Sequence, residues 1–127
     1  MPIRPRKHKL LRLWGALLAL SVANVALATP DTKAQGEIEY LLSFVQQSSC
    51  EFIRNGASYD ASAARDHLAH KLGNIRQRIR TAEDFIRYAA SKSSLTGRPY
   101  QVNCHGQEQL ASLWLTDALA RRRMAKN

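Results

Sequence analysis

The sequence has few of the residues and motifs on which common enzyme chemistries depend. It contains two cysteines, and they do not stand in the Cys-x-x-Cys spacing that redox enzymes use. The Gly-x-Ser-x-Gly elbow, the phosphate-binding P-loop, the His-Glu-x-x-His motif and paired zinc cysteines are all missing. Nucleophilic catalysis, nucleotide chemistry and zinc chemistry therefore have no motif in this chain.

Acidic residues are absent from the first thirty positions, where basic and apolar residues are concentrated. Met1–Arg12 carries five basic residues, and Leu13–Ala28 is a nearly continuous apolar run of 16 residues that closes on Ala-Leu-Ala. This order is typical of a secretory signal peptide cleaved after Ala28. The alternative is an uncleaved anchor, but Ser21 and Asn24 interrupt the run, which is shorter than the roughly 20 residues of a membrane helix. We expect an exported chain without a membrane span after cleavage.

Removal of residues 1–28 would take away most of the positive charge. Five of the 19 basic residues lie in that segment, so the mature chain keeps 14 basic and 10 acidic residues, a net charge of +4. Much of this surplus lies in Arg121, Arg122, Arg123 and Lys126. Such cations complement the C-terminal end of a helix, or they form a patch for anionic lipid or polysaccharide. So small a surplus does not predict a nucleic-acid partner.

Both cysteines, Cys50 and Cys104, lie in the mature chain. An even number of cysteines in an exported protein predicts a disulfide, here a single structural bond. Closing a loop of this length restricts the unfolded chain by about 4 kcal/mol in the entropic model.

Apolar periodicity predicts an all-α fold, a small bundle of about four helices. Residues 29–36 are expected to form a disordered lead, and residues 37–124 a single helical domain. The first helix, Glu37–Gly56, carries a core-facing stripe that includes Leu41, Val45 and Phe52. It is predicted to end at Asn55-Gly56, which tolerate the left-handed conformation of a helix end.

Capping residues mark the other helices. Asp60 is expected to cap a second helix over Ala61–Ile79, and Thr81 a third helix that ends near Ser91. The fourth helix is predicted over about Ser112–Met124. Between the last two, Ser91–Glu108 lacks a helical period, and we expect an ordered irregular loop that the disulfide staples to the bundle.

Two stretches carry side chains suited to ligand binding. His67 and His70 are three residues apart on the second helix, but they point in different directions and no third ligand is evident, so neither a metal nor a cofactor is predicted. Ser93, Ser94 and Arg98 lie in the loop, where hydroxyls and cations can cradle a phosphate, a sulfate or a sugar. The alternative for this loop is a solvated segment whose hydroxyls cap its own turns.

Several strings resemble one family of exported proteins. They are Cys-Glu-Phe-Ile-Arg-Asn-Gly from Cys50, His-Leu-x-x-Lys from His67, Thr-Ala-Glu-x-Phe-Ile from Thr81 and Ser-Ser-Leu-Thr-Gly-Arg-Pro-Tyr from Ser93. Together they are similar to the YfeK-like family, whose function is unknown. The resemblance implies a periplasmic protein of a proteobacterium and no accepted activity.

The disulfide would draw the loop toward the end of the first helix and create one polar surface. Its candidate binding residues come from three segments: Arg54, Asn55, His67, Lys71, Ser93, Ser94, Arg98 and Tyr100.

Three functions are compatible with this pattern. The absence of a catalytic motif favours a non-catalytic module that binds an anionic or glycan envelope component, or another envelope protein. The alternative is a small hydrolase or transferase in which His67 acts as base toward a loop serine. A third is an assembly partner that docks through an exposed apolar patch.

Overall fold

The computed structural model describes residues 2–4, 15–23 and 31–127. The predicted cleavage site after Ala28 and most of the basic N-terminal segment lie outside the described residues. Residues 15–23 form neither a helix nor a strand, and their side chains are exposed. All helices and strands of the described chain fall within residues 31–127.

The folded part contains four α-helices and four β-strands. In chain order they are α1 (Thr32–Gln47), β1 (Glu51–Arg54), β2 (Ala57–Tyr59), α2 (Ala61–Asn74), α3 (Ala82–Ala89), β3 (Gln101–Cys104), β4 (Gln107–Leu110) and α4 (Ala111–Ala125). None of the helices in this part of the chain combines the length and the hydropathy that a membrane crossing requires.

The prediction of an all-α fold is wrong, because the strands form one antiparallel sheet in the order β2-β1-β3-β4. Its two outer pairs are hairpins closed by two-residue turns, Asn55-Gly56 and His105-Gly106. All four turn residues have positive φ, as the tight hairpin turns of this length demand. The chain therefore has a mixed α and β fold.

The pairing of β1 with β3 joins the two hairpins and places the cysteines together. Glu51 lies opposite Asn103, so Cys50 and Cys104 are the next facing pair along the same register. Their Cα atoms are 4.6 Å apart and the disulfide is formed, which confirms the predicted bond. The predicted irregular loop is thus partly a strand pair, and only residues 90–100 connect α3 to β3 without regular structure beyond an isolated bridge.

The core is built from the inner faces of the helices and the central strands. Its largest fully buried side chains come from five segments: Leu41, Val45, Ile79, Phe85, Val102 and Leu115. Aromatic contacts join helices to sheet, because the ring of Trp114 lies 4.5 Å from Phe44 and 5.5 Å from Phe52. This core fixes α2 beside β1, which sets the geometry of the site described below.

Helix boundaries differ from the prediction mainly at α1 and α2. The first helix begins at Thr32, where the Asp31 carboxylate caps the amide of Ala34, so residues 32–36 are helical and not a disordered lead. It ends at Gln47, before the strand that carries Phe52. The second helix ends at Asn74 and gives way to a 3₁₀ turn.

The predicted caps are present. Asp60 accepts from the amide of Ala63, and Thr81 forms a capping box with Asp84 at the start of α3. Both caps satisfy backbone donors that a helix start leaves free.

Candidate functional site

Four polar side chains from three segments meet where α2 crosses the end of β1. Arg54 is the last residue of β1, His67 and Lys71 stand one turn apart on α2, and Tyr100 immediately precedes β3. Because β1 pairs with both β2 and β3, the sheet holds Arg54 and Tyr100 close together under the helix. These four residues are called the donor cluster below.

The distances within the donor cluster are those of direct hydrogen bonds. Nη1 of Arg54 lies 2.6 Å from Nδ1 of His67, and Nε2 of His67 lies 3.1 Å from Oη of Tyr100. The ammonium group of Lys71 donates to the same hydroxyl at 3.2 Å and to the carbonyl oxygen of Lys92 at 2.8 Å. The four groups therefore form one connected network.

Donor and acceptor chemistry limits what the donor cluster can offer a ligand. Arginine and lysine only donate, and Nη1 of Arg54 lies within 3.0 Å of both ring nitrogens of His67. The hydrogen bond between Nε2 of His67 and Tyr100 runs in the direction set by the ring nitrogen that carries the proton. The hydroxyl oxygen of Tyr100 also accepts from Lys71. Two cationic donors therefore meet in the donor cluster, and none of its four side chains is an acid.

The environment of the donor cluster shifts the pKa values of three of its side chains. Burial, followed by the charges of Arg54 and Lys71, lowers the pKa of His67. Burial and then Arg54 also lower the pKa of Lys71. Burial raises the pKa of Tyr100, with Arg54 opposing it. No ion pair of the described residues involves Arg54 or Lys71, so no carboxylate balances these charges.

The loop before β3 is tied to the first hairpin turn beside the donor cluster. Ser93 is buried, and its hydroxyl oxygen accepts from Nδ2 of Asn55 at 3.2 Å. The hydroxyl of Thr96 donates to Oδ1 of Asn55 at 2.6 Å. The hydroxyls of Ser93 and Thr96 thus join the loop to the first hairpin turn.

An open polar pocket collects most of the predicted surface. Seven of the eight predicted residues line it: Arg54, Asn55, His67, Lys71, Ser93, Ser94 and Tyr100. Arg98 lies outside this pocket, with its guanidinium beside Gly56 in the hairpin turn. Of the three predicted cations, Arg54 and Lys71 therefore line the pocket, together with the imidazole of His67.

Tyr59 is part of the site, although the sequence did not single it out. The guanidinium carbon of Arg54 lies 4.6 Å from the centre of its ring, within the range of a cation–π contact. Asn55-Gly56 flanked by apolar residues is a strong hairpin signal. In a hairpin with that turn Arg54 faces Ala57, and the tyrosine two residues further lies diagonally beside it.

The alternative uses of His67 find no support in its contacts. None of the hydrogen bonds of residues 31–127 joins His67 to a serine, because its partners are Arg54 and Tyr100. His70 is exposed on another side of α2. The described residues contain no group of three or more side chains that could hold a metal ion.

A second, apolar pocket of about 180 Å³ lies against the same residues. Arg54, Tyr59, His67 and Tyr100 line both pockets. The remaining lining of the apolar pocket consists of Phe52, Ile53, Ala63, Ala64, Leu68, Ala90, Ala111 and Leu115. The donor cluster therefore borders an apolar pocket on one side and an open polar pocket on the other.

Comparisons with known proteins match almost the whole folded part. A family of unknown function (DUF5329) matches residues 32–123, from the first residue of α1 into the last turns of α4. The "Uncharacterized protein YfeK" of Salmonella typhimurium (strain LT2) is 41% identical over 86 residues, which cover 67% of this chain and 72% of that protein. No solved structure matches the chain.

Proposed function

Because the chain belongs to the DUF5329 family, whose function is unknown, we propose a function from the site: an exported, non-catalytic protein of the bacterial envelope that binds a small anion. The resemblance to YfeK-like proteins is confirmed by the family match and by the Salmonella relative. Neither carries an activity that can be transferred to this chain.

One observation carries the proposal, the surplus of donors in the donor cluster. Arg54 and Lys71 are positively charged donors, and no acidic side chain pairs with either cation in the described chain. An anion placed in the polar pocket would accept these hydrogen bonds. Charge-assisted hydrogen bonds of this kind are roughly twice as strong as neutral ones.

The two cations of the donor cluster are held by neighbouring groups of the protein. Arg54 is held by Tyr59 and His67, and Lys71 by Tyr100 and the carbonyl of Lys92. Side chains that are already ordered lose little rotamer freedom when a ligand arrives, which favours affinity. The candidate ligands share an anionic group that accepts hydrogen bonds, which a phosphate, a carboxylate or an acidic sugar can supply.

The test compares two double variants with the parent by nuclear magnetic resonance titration. Inorganic phosphate and glucuronate are the probes, and the changed protein is Arg54→Ala/Lys71→Ala. We expect affinity for both probes to fall at least about tenfold, since two charged contacts are lost. The thermal midpoint should stay level, because the relieved repulsion between the two like charges offsets the hydrogen bonds and the cation–π contact that the variant loses.

The matched control is Arg76→Ala/Arg80→Ala, which removes the same charge at two exposed positions outside the pocket. It should bind both probes like the parent. Equal loss of binding in the two double variants would mean that net charge alone attracts the probes. Unchanged binding in Arg54→Ala/Lys71→Ala with a depressed midpoint would mean that these side chains serve the fold.

Export is the second part of the proposal. It is supported by the basic start, the apolar run and the disulfide, a bond typical of oxidising compartments. The expected mature protein begins at Thr29 and lies in the periplasm. Intact-mass analysis of a periplasmic fraction tests this, and a protein that retains residues 1–28 would contradict it.

A further inference from the structure

The apolar pocket behind the donor cluster is suited to the tail of a ligand whose head is an anion. Its walls are mostly aliphatic and aromatic carbon, and three members of the donor cluster, Arg54, His67 and Tyr100, line both this pocket and the open polar pocket. A ligand whose head binds these side chains can place its tail against the apolar walls. Polar groups at one end of an apolar pocket fix a ligand's orientation.

The volume of the pocket sets the size of the tail. An engineered cavity of about 150 Å³ with apolar walls binds benzene in another protein. At about 180 Å³, this pocket has room for one ring or a short alkyl chain. From these features, and resting on the proposed anion-binding function, we infer that the ligand is a free monocarboxylate with an apolar tail of roughly six to eight carbons.

A carboxylate head fits the donors in number and shape. Its two oxygens can take both ends of the Arg54 guanidinium, the bidentate arrangement that arginine favours. The ammonium group of Lys71 makes two hydrogen bonds to the protein and has a third N–H to give. An alcohol of equal length would leave the cations without a charge partner, and a short carboxylate would leave the apolar walls uncovered. The site therefore predicts that affinity needs both parts of the molecule.

The experiment measures binding of three probes to the purified protein by calorimetry. The probes are octanoate, butanoate with the same head and a shorter tail, and 1-octanol with the same number of carbons and no charge. Each buried methylene should raise affinity by roughly threefold to fourfold. We expect octanoate to bind at least tenfold more tightly than either of the other two probes.

One exposed position allows the pocket to be filled without disturbing the core. Ala63 lines the apolar pocket, yet its side chain is exposed on the first turn of α2, so Ala63→Leu should fold. This variant should bind octanoate and butanoate equally and keep its affinity for phosphate. The matched control is Ser62→Leu, which adds a leucine at the neighbouring exposed position outside both pockets and should behave as the parent.

Each outcome bears on one claim. Equal affinity of the parent for octanoate and butanoate overturns the inference, and if phosphate still binds through Arg54 and Lys71 the proposed anion site stands. Octanol that binds as well as octanoate also overturns the inference, because the charged head would then add no affinity, and the phosphate titration still decides the proposed anion site. Binding to vesicles of phosphatidylglycerol that excess octanoate does not reduce would also overturn the inference, because the ligand would then be a membrane surface and not a free carboxylate.

Discussion

At the scale of single residues, the neighbours of His67 change the pH at which its side chain becomes charged. Burial and the cations beside it lower its pKa below the ordinary value of 6.5. The unfolded chain therefore binds more protons than the folded chain between the two pKa values. The free energy of unfolding should accordingly fall as the pH drops from about 6.5 through the lowered pKa, and the effect should be complete below it.

Urea unfolding between pH 8 and pH 4.5 tests this prediction. The slope of interest is that of the free energy of unfolding against pH. In His67→Gln the part of this slope that comes from His67 should disappear, whereas His70→Gln, at an exposed position, should unfold as the parent does. Saturating phosphate should also flatten the slope of the parent, because a bound anion stabilises the protonated imidazole. Identical slopes in the parent and His67→Gln would contradict the lowered pKa.

At the scale of elements, the strands explain why the fold class was predicted wrongly. Phe52 and Ile53 continue the helical stripe of α1 by coincidence, because a four-residue strand is about one helical turn long and its periodicity is ambiguous. Asn55-Gly56 tolerates positive φ at a helix end as well as in a hairpin. The pairing of β1 with β3 spans some fifty residues, and no local pattern encodes it.

The helices were more predictable, since their signals are local. Asp60 and Thr81 cap helices at the positions predicted from the sequence, because a cap depends only on the next three residues. The segments of the candidate surface could be predicted to lie together because the chain has two cysteines, Cys50 and Cys104, which allow one pairing. Arg98 was misplaced since its position depends on the turn at Asn55-Gly56, and the apolar pocket was missed because its walls come from distant segments.

The element-scale prediction concerns the bond between β1 and β3. Cys50→Ser/Cys104→Ser should lower the free energy of unfolding by about 2–5 kcal/mol, as removal of native disulfides from small secreted domains does. The entropic model gives about 4 kcal/mol for a separation of 54 residues. Urea unfolding of the double variant against the oxidised parent measures the difference. Equal midpoints would show that strand pairing alone constrains the chain.

At the scale of the whole molecule, one ion-pair group joins three helices away from the donor cluster. The guanidinium of Arg123 on α4 binds Glu37 on α1 at 2.7 Å and 3.0 Å, and also binds Glu83 on α3. Glu37 is buried, with 7% of its surface exposed, so it depends on this partner. The run of C-terminal cations thus includes one side chain with a structural role, which neither interpretation of the sequence had anticipated.

Removing that partner should cost stability in a pH-dependent way. Hydrogen bonds from Arg123 lower the pKa values of Glu37 and Glu83 below 4.5. Their contribution is therefore present above that pH and is lost as the pH falls through the lowered values. Arg123→Met should reduce the free energy of unfolding by about 1.5–3 kcal/mol at pH 7.

The control for this prediction is Arg121→Met, which removes an exposed ion pair with Asp117 on a single helix. It should change stability by about 0–1 kcal/mol. Urea unfolding at pH 7 and pH 3 measures both variants, and the deficit of Arg123→Met should shrink at pH 3. A deficit of equal size at both pH values would assign the effect to lost packing of the arginine stem.

The pairing of the two cysteines also determines how the protein can mature. Two thiols permit one intramolecular connection, so oxidation cannot produce a wrongly bonded isomer within a single chain. The pairing of β1 with β3 places the second thiol, at the end of β3, against the first. Within a single chain an oxidant is therefore sufficient for maturation, and a catalyst of disulfide reshuffling is unnecessary.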